Sequence, residues 1–255
     1  WIEFILGKRG RRDVQEFSLR LMDNIFSLHR DLATLTYQHG PYQAFCINDP
    51  KPREIHKATV RDRLFHHALY RKLYPFFDRT FISDSYSCRL GKGTHKAFNR
   101  FRAFARKASK NNTKTCWALK CDIRKFFANI HHETLYRIME QCIPDKKILR
   151  LIREIVGSFH STVLGIGLPL GNLTSQLLVN LYMSEFDQFV KHQLKAKYYI
   201  RYADDFVLLF SDRILLESLI PRAEFFLLER LHLEFHPDKV FLATLASGVD
   251  FLGWV

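Results

Sequence analysis

The chain has 255 residues, 47% hydrophobic and 14% aromatic, enough for one large domain or two closely packed lobes around a sizeable core. Lys and Arg number 39 against 26 Asp and Glu, a formal charge of +13, which points to a polyanionic partner, nucleic acid ahead of an anionic membrane surface. No apolar run is long enough to span a bilayer, and five cysteines without a CxxC exclude a disulfide framework or zinc site, so the reading is a cytoplasmic chain with no membrane partner.

Trp1 stands where Met would open a whole chain and Val255 closes an apolar run, so the sequence reads as a fragment with both ends cut. Phe17, Leu21, Ile25, Leu28, Leu32 and Leu35 recur every three or four residues and predict one helix to about residue 36. YQAFCI and REIHKA flank the turn NDPKP as a hairpin, and Thr59 caps a helix over TVRDRLFHHALYRKLYPFF. THKAFNRFRAFARKASK predicts an amphipathic helix with Phe98, Phe101, Ala105 and Ala108 on one face. That helix lies between Asp84 and Asp122, a stretch with ten basic residues and no acidic one, which self-repels unless an anion sits on it. GKGTHK within it lacks phosphate-loop spacing. TCWALKCDI is a short, mostly buried strand, followed by helices over about 132–142 and 145–159. GLPLGN is a loop that opens a long helix over about 173–194. Residues 198–210 form a tight hairpin with Ala203 and Asp204 near its turn, and a helix over about 213–231 restarts at Pro221. VFLATL and VDFLGWV close the chain as strands, and the order of elements predicts an α+β class with helices on an antiparallel sheet.

The hairpin sequence YYIRYADDFVLLF sets the adjacent carboxylates Asp204 and Asp205 in an apolar run, where each loses hydration and repels the other. Asp122, at the end of the strand in WALKCDIRKFF, fits either a helix cap or a ligand. If that strand pairs with the hairpin, the three carboxylates cluster, an arrangement that needs a cation. Hard divalent ions take oxygen ligands, and a pair of them serves a phosphoryl displacement. A nucleic-acid substrate would also account for the basic stretch.

Those residues resemble the palm of reverse transcriptases: YADD in a hairpin, DIRKFF after a strand and GLPLGNLTSQ before a long helix. DPKPREIHKATVRDRLFHHALY is similar to the family's fingers motif, HPDKV to its later lysine motif and FLGW to its primer-grip turn, so the likeness runs over about residues 43–255. It implies a right-hand polymerase fold, with a palm built on a ferredoxin-like (RRM-like) antiparallel core, helical fingers, and the thumb missing. Residues 1–114 are then an N-terminal helix and fingers, 115–131 the first part of the palm, 132–168 connecting helices, and 169–255 the palm up to the primer grip. Most of the family carry glutamine where this loop has Leu170, and proline where it has Gln176. That variant is similar to the enzymes of diversity-generating retroelements, which mutate adenines while copying a template RNA. Group II intron, retron and bacterial-defence enzymes are the alternatives within the family.

The resemblance implies roles residue by residue. Asp122 and Asp204 ligate two Mg2+ ions (Mn2+ as substitute), with Asp205 a weaker ligand and the Ile123 carbonyl completing one sphere. Phe127 stands at the steric gate that excludes a 2′-hydroxyl, unless it and Phe126 are both core. Arg124 and Lys125 present backbone N–H groups to the triphosphate, and Lys51 and Arg53 clamp its phosphates. Leu170, Gly171 and Gln176 line the nucleotide pocket, and Lys239 lies near the incoming nucleotide or on the surface. Leu252 and Gly253 support the primer end, and Lys92, Lys96 and Arg100 meet the template backbone. The implied partners are template RNA, a DNA or RNA primer, dNTPs and an accessory protein of such a retroelement. Two competitors are an RNA-dependent RNA polymerase, against which the bulk of Phe127 argues, and a non-catalytic nucleic-acid-binding module on a polymerase palm.

Overall fold

The computed structural model describes residues 1–48 and 52–254, so the expected clamp residue Lys51 lies outside the described residues, as does Val255. In chain order the elements are α1 (Arg12–Ser18), α2 (Leu21–Ala33), β1 (Gln43–Asn48), β2 (Pro52–Lys57), α3 (Val60–Asp78), α4 (Thr94–Ala108), β3 (Trp117–Ile123), α5 (His132–Cys142), α6 (Lys146–Gly157), α7 (Leu173–Gln188), β4 (Tyr198–Tyr202), β5 (Asp205–Phe210), α8 (Arg213–Leu231) and β6 (Phe235–Thr244). They fall into two compact units, Trp1–Phe76 with His131–Leu178, and Phe77–Ile130 with Val179–Val255.

In the first unit β1 and β2 pair antiparallel, with Phe45 opposite Ile55 and Ile47 opposite Arg53. Thr59 opens α3 as its sequence predicts: the Asp62 N–H donates to its hydroxyl at 3.2 Å. Asp62 itself is buried and accepts from the Tyr37 hydroxyl (2.7 Å) and the Gly40 N–H (3.1 Å). The loop before α7 docks on β2 from both sides of one residue. The His56 N–H donates to the Leu170 carbonyl at 3.0 Å, and the Asn172 side-chain amide donates to the His56 carbonyl at 2.8 Å. Gly171 lies between them at φ +99°, where an added Cβ would come 2.7 Å from the Ile55 side chain, so only glycine fits.

The second unit is built on a four-stranded antiparallel sheet of order β4-β5-β3-β6. A helical segment separates β3 from β4, a two-residue turn joins β4 to β5, and α8 separates β5 from β6. That succession and strand order are the ferredoxin-like arrangement expected from the sequence. Period-two alternation gives each strand two apolar faces. On one face Ala118, Ile200, Val207 and Leu209 pack beneath Ala97, Phe101 and Phe104 of α4. On the other, Leu119, Cys121, Tyr199, Phe206 and Leu208 are buried, and Phe186 of α7 meets Phe206 at 5.2 Å between ring centroids. Phe226 of α8 stacks on Phe189 at 4.2 Å. An antiparallel sheet covered by helices on both faces explains why its strands read as apolar runs.

Five features differ from the sequence reading. The predicted N-terminal helix is two helices, α1 and α2, parted at Leu19 and Arg20; the Asn24 side chain donates to the Phe17 carbonyl released there, at 2.9 Å, while the apolar period runs on across the break. α7 stops at Gln188 and a π-helical turn, Phe189–Gln193, follows it. Pro221 lies inside a continuous α8, held on both sides by the buried Leu216, Leu219, Ala223 and Leu227. β6 starts at Phe235, ahead of the predicted VFLATL, so HPDKV is part of the strand, and residues 249–254 are no strand but a turn closed by a single bridge between Phe251 and Trp254. In that turn Leu252 and Gly253 take φ of 60° and 81°, which a strand does not allow.

Candidate active site

The register of β3 on β5 decides the centre, because it sets Asp122 directly opposite Asp205. Tyr202 pairs with Asp205 across the hairpin, which leaves Ala203 and Asp204 as the whole turn, with Ala203 in the left-handed region at φ 56°. Asp122 and Asp205 therefore share one face of the sheet with Lys120 and Ala118. Lys239 on β6 donates to Asp122 at 3.0 Å. Lys120 lies 3.7 Å from Asp205 and 3.7 Å from Asp250. One oxygen of Asp205 is buried with no hydrogen-bond partner. Burial raises the Asp205 pKa to about 7, opposed by Lys120 and reinforced by the charges of Asp122, Asp204 and Asp250.

A buried, orphaned carboxylate oxygen beside two further carboxylates is an oxygen donor set that a hard cation satisfies. Among the described residues no three acidic, histidine or cysteine side chains are grouped closely enough to hold a metal ion, so the expected cluster of three carboxylates is not drawn together here. That is compatible with magnesium, which takes one or two carboxylates and leaves the rest of its sphere to substrate phosphates and water. The residues present fit such an ion.

Around the pair the sequence-predicted residues divide. β3 and β6 shift register between Cys121 and Ile123, so Ile123 follows Asp122 at a bulge, its side chain fully buried. The Arg124 N–H is taken by the Glu234 carbonyl at 3.0 Å, so it is not presented to a ligand here, whereas Lys125 adopts φ 44° at the start of a short 3-10 turn, Phe126–Asn129. Phe126 is core and Phe127 half-buried, their rings edge-on at 5.5 Å. Asp250 holds the turn of Leu252 and Gly253 through the Gly253 N–H at 3.0 Å. Lys92 donates to the Ser83 carbonyl (2.7 Å), Lys96 to the Gly91 carbonyl (2.5 Å), and Arg100 pairs with Asp84 (2.7 Å), so all three expected template contacts are engaged within the unit. Arg53, Leu170, Gly171 and Gln176 belong to the first unit, Arg53 exposed on β2 and Gln176 in the first turn of α7. Sequence reasoning missed Lys120 and Asp250. Lys120 was legible, since it precedes Asp122 by two positions on a strand and must share its face.

A family model described as reverse transcriptase (RNA-dependent DNA polymerase) matches residues 48–255. The chain belongs to the reverse transcriptase family. It is 24% identical to protein YkfC of Escherichia coli K12, over 92% of this chain and 71% of that one. It is 28% identical to the group II intron-encoded protein LtrA of Lactococcus lactis, over 69% of this chain and 29% of LtrA, so the match spans under a third of that relative. Among solved structures, telomerase from Candida albicans, in complex with a fragment of telomeric RNA, superposes with a TM-score of 0.63 at 13% identity, over 85% of this chain and 44% of that one. At that identity the likeness shows the fold, a right-hand polymerase palm, with which the ferredoxin-like strand order agrees. No helix among the described residues is long and apolar enough to cross a membrane.

Proposed function

We propose that the second unit carries the nucleotidyl-transfer centre of an RNA-directed DNA polymerase. The observation that carries the reading is the Asp122–Asp205 rung, with its orphaned buried oxygen, next to the two-residue turn that bears Asp204. Asp122, Asp204 and Asp205, with the Ile123 carbonyl, would hold two Mg2+ ions, or Mn2+ in their place. When bound, such ions supply Lewis-acid stabilisation to the attacking and leaving oxygens of a phosphoryl displacement. The chain's own part is to hold the carboxylates in fixed register and to bring Lys239 and Lys120 against them, so that their charge is balanced before substrate arrives. Phe127 packs under the deoxyribose and excludes a 2′-hydroxyl. Arg53, Lys51 and the loop of Leu170 and Gly171 serve the nucleotide, and Leu252 and Gly253 the primer end. The assignment of 1–114 to an N-terminal helix and fingers, 132–168 to connecting helices, and 115–131 with 169–255 to the palm belongs to the same reading. Template RNA, a DNA or RNA primer and dNTPs are the partners.

Asp122→Asn and Asp204→Asn test it. Each removes charge from a ligand at nearly constant volume, so the fold survives while several kcal/mol of transition-state stabilisation is lost, about a thousand-fold in rate. Primer extension at the wild-type rate by either folded variant would overturn the two-metal centre. The non-catalytic alternative predicts no Mg2+-dependent extension by the wild type.

The finer reading is the error-prone enzyme of a diversity-generating retroelement, with its accessory protein, supported by Leu170 and Gln176. The likeness to LtrA supports a second reading, a group II intron-encoded enzyme. Sequencing cDNA copied from a defined RNA separates them: the first requires errors concentrated opposite template adenine, and an even error spectrum removes it.

A further inference from the structure

Arg201 immediately precedes the YADD motif, is 1% exposed, and faces away from the carboxylates, among Asp187, Asn180 and Ser85. Its guanidinium grips Asp187 with two parallel bonds, Nε to Oδ1 at 2.7 Å and Nη2 to Oδ2 at 2.6 Å. Nη2 also reaches the Ser85 hydroxyl at 3.2 Å. The remaining nitrogen, Nη1, donates to the Ala203 carbonyl at 2.9 Å and lies 3.4 Å from the Asn180 amide oxygen. Asp187 in turn accepts from the Tyr199 hydroxyl at 2.7 Å. The backbone on either side is tied as well: the Arg201 N–H donates to the Asp84 carbonyl and the Tyr86 N–H to the Arg201 carbonyl, each at 3.0 Å.

A buried ion pair is a poor device for stability alone, because apolar residues of similar volume often replace it at no loss. What it supplies here is direction. The Ala203 carbonyl belongs to the peptide that leads into Asp204. Fixing that oxygen fixes the peptide plane and hence the direction of the Asp204 side chain. The turn needs such an anchor: Ala203 is left-handed at φ 56°, and the carboxylates around it repel one another.

We infer that Arg201, locked by Asp187, is a positioning residue that holds the Ala203–Asp204 peptide and so aims the Asp204 carboxylate for nucleotidyl transfer. This rests on the active-site reading above. Arg201 touches no substrate, so its loss acts on turnover and not on nucleotide binding.

The test uses two variants. Arg201→Met with Asp187→Asn removes both charges at once and keeps an oxygen for the Tyr199 hydroxyl. Arg201→Lys keeps a charge opposite Asp187 but loses the planar fork that reaches Asp187 and Ala203 together. In both, kcat for single-nucleotide addition falls about 10- to 100-fold, the cost of misplacing a catalytic group by an ångström or less. The KM for dNTP stays within about twofold, the Mg2+ concentration for half-maximal rate rises, and backbone amide exchange at residues 203–205 quickens while the melting temperature holds. A core role alone would move melting and leave those kinetic constants in place. Wild-type kcat in either folded variant overturns the inference, and if the double variant does not fold, Arg201→Lys decides. Asp204→Asn separates the two readings: full activity in that variant sinks the active site itself, whereas an inactive Asp204→Asn beside unimpaired Arg201 variants sinks only the role of Arg201.

Discussion

Phe126 and Phe127 are adjacent and identical, and only the fold tells them apart. The short turn after β3 drives Phe126 into the core and leaves Phe127 half-buried a few residues from Asp122. If Phe127 is the gate, Phe127→Ala makes room for a 2′-hydroxyl. The ratio of NTP to dNTP incorporation then rises at least about tenfold, a steric exclusion of about 1.4 kcal/mol or more. Matched primer extensions with the two nucleotide sets measure it, and an unchanged ratio in an active variant moves the gate elsewhere. The carboxylates themselves were legible as residues, since three acids in apolar strands have few other uses. Lys120 was legible too, two positions before Asp122 on one strand, but the contact of Lys239 was not. Lys239 meets Asp122 only because β6 starts five residues before VFLATL and pairs with β3 through a bulge, and no local pattern in HPDKV announces that.

Elements with a clean period were read correctly: β3, the YADD hairpin, α4 and the α5–α6 pair all fall where apolar spacing puts them. The misses share a cause, which is that period alone does not report breaks. The apolar stripe of α1 and α2 continues across Leu19 and Arg20, and Pro221 looks like a stop although burial on both sides carries α8 through it. α3 holds a feature that no period reveals. His66 is 1% exposed, its Nε2 lies 3.2 Å from Nε2 of His39, and its Nδ1 is buried without a partner. His39 Nδ1 sits 2.6 Å from the Gly40 carbonyl and so carries the proton, which makes the second His39 nitrogen the acceptor and His66 Nε2–H the donor. Burial, with His39 adding to it and Asp62 opposing, lowers the His66 pKa to about 3. The unfolded ring titrates near 6.5, so the unfolded chain binds the extra proton first as pH falls. This contribution is complete above about pH 6.5 and is lost towards pH 3, at up to about 1.4 kcal/mol per pH unit. His66→Phe removes that proton site. Its denaturant midpoint should lie below the wild type at pH 7.5, because His39 loses its donor, and the gap should close as the pH is lowered to 5. A gap that is constant with pH would show that His66 does not titrate on unfolding.

At the scale of the molecule the charge of +13 is the feature most visible in sequence and most altered in meaning by structure. The ten basic residues between Asp84 and Asp122 look like one continuous patch, but folding splits them. Arg89 pairs with Asp78, Arg100 with Asp84 and Lys120 with Asp205, while Lys92 and Lys96 are spent on backbone carbonyls. Arg102, Arg106, Lys107, Lys110 and Lys114 are exposed and, among the described residues, none pairs with a carboxylate. Arg102 and Arg106 are one helical turn apart on the side of α4 away from Phe101 and Phe104, and Lys110 follows the helix end. Cations already held by carboxylates release few counterions when a polyanion arrives, whereas free ones release nearly one each. Replacing Arg102, Arg106 and Lys110 together by glutamine should therefore weaken binding to an RNA template–primer and reduce the slope of log affinity against log salt concentration by about 2 to 3. Turnover at saturating template should be unchanged, because among the described residues none of the three pairs with a carboxylate of the site. Arg89→Gln should behave in the opposite way, leaving the slope nearly unaltered, because its guanidinium is already paired with Asp78. Binding titrations across a salt series decide between them. If the slope falls as much for Arg89 as for each of the three, the division of the patch into committed and free cations is wrong, and the whole stretch meets the nucleic acid as the sequence alone suggests.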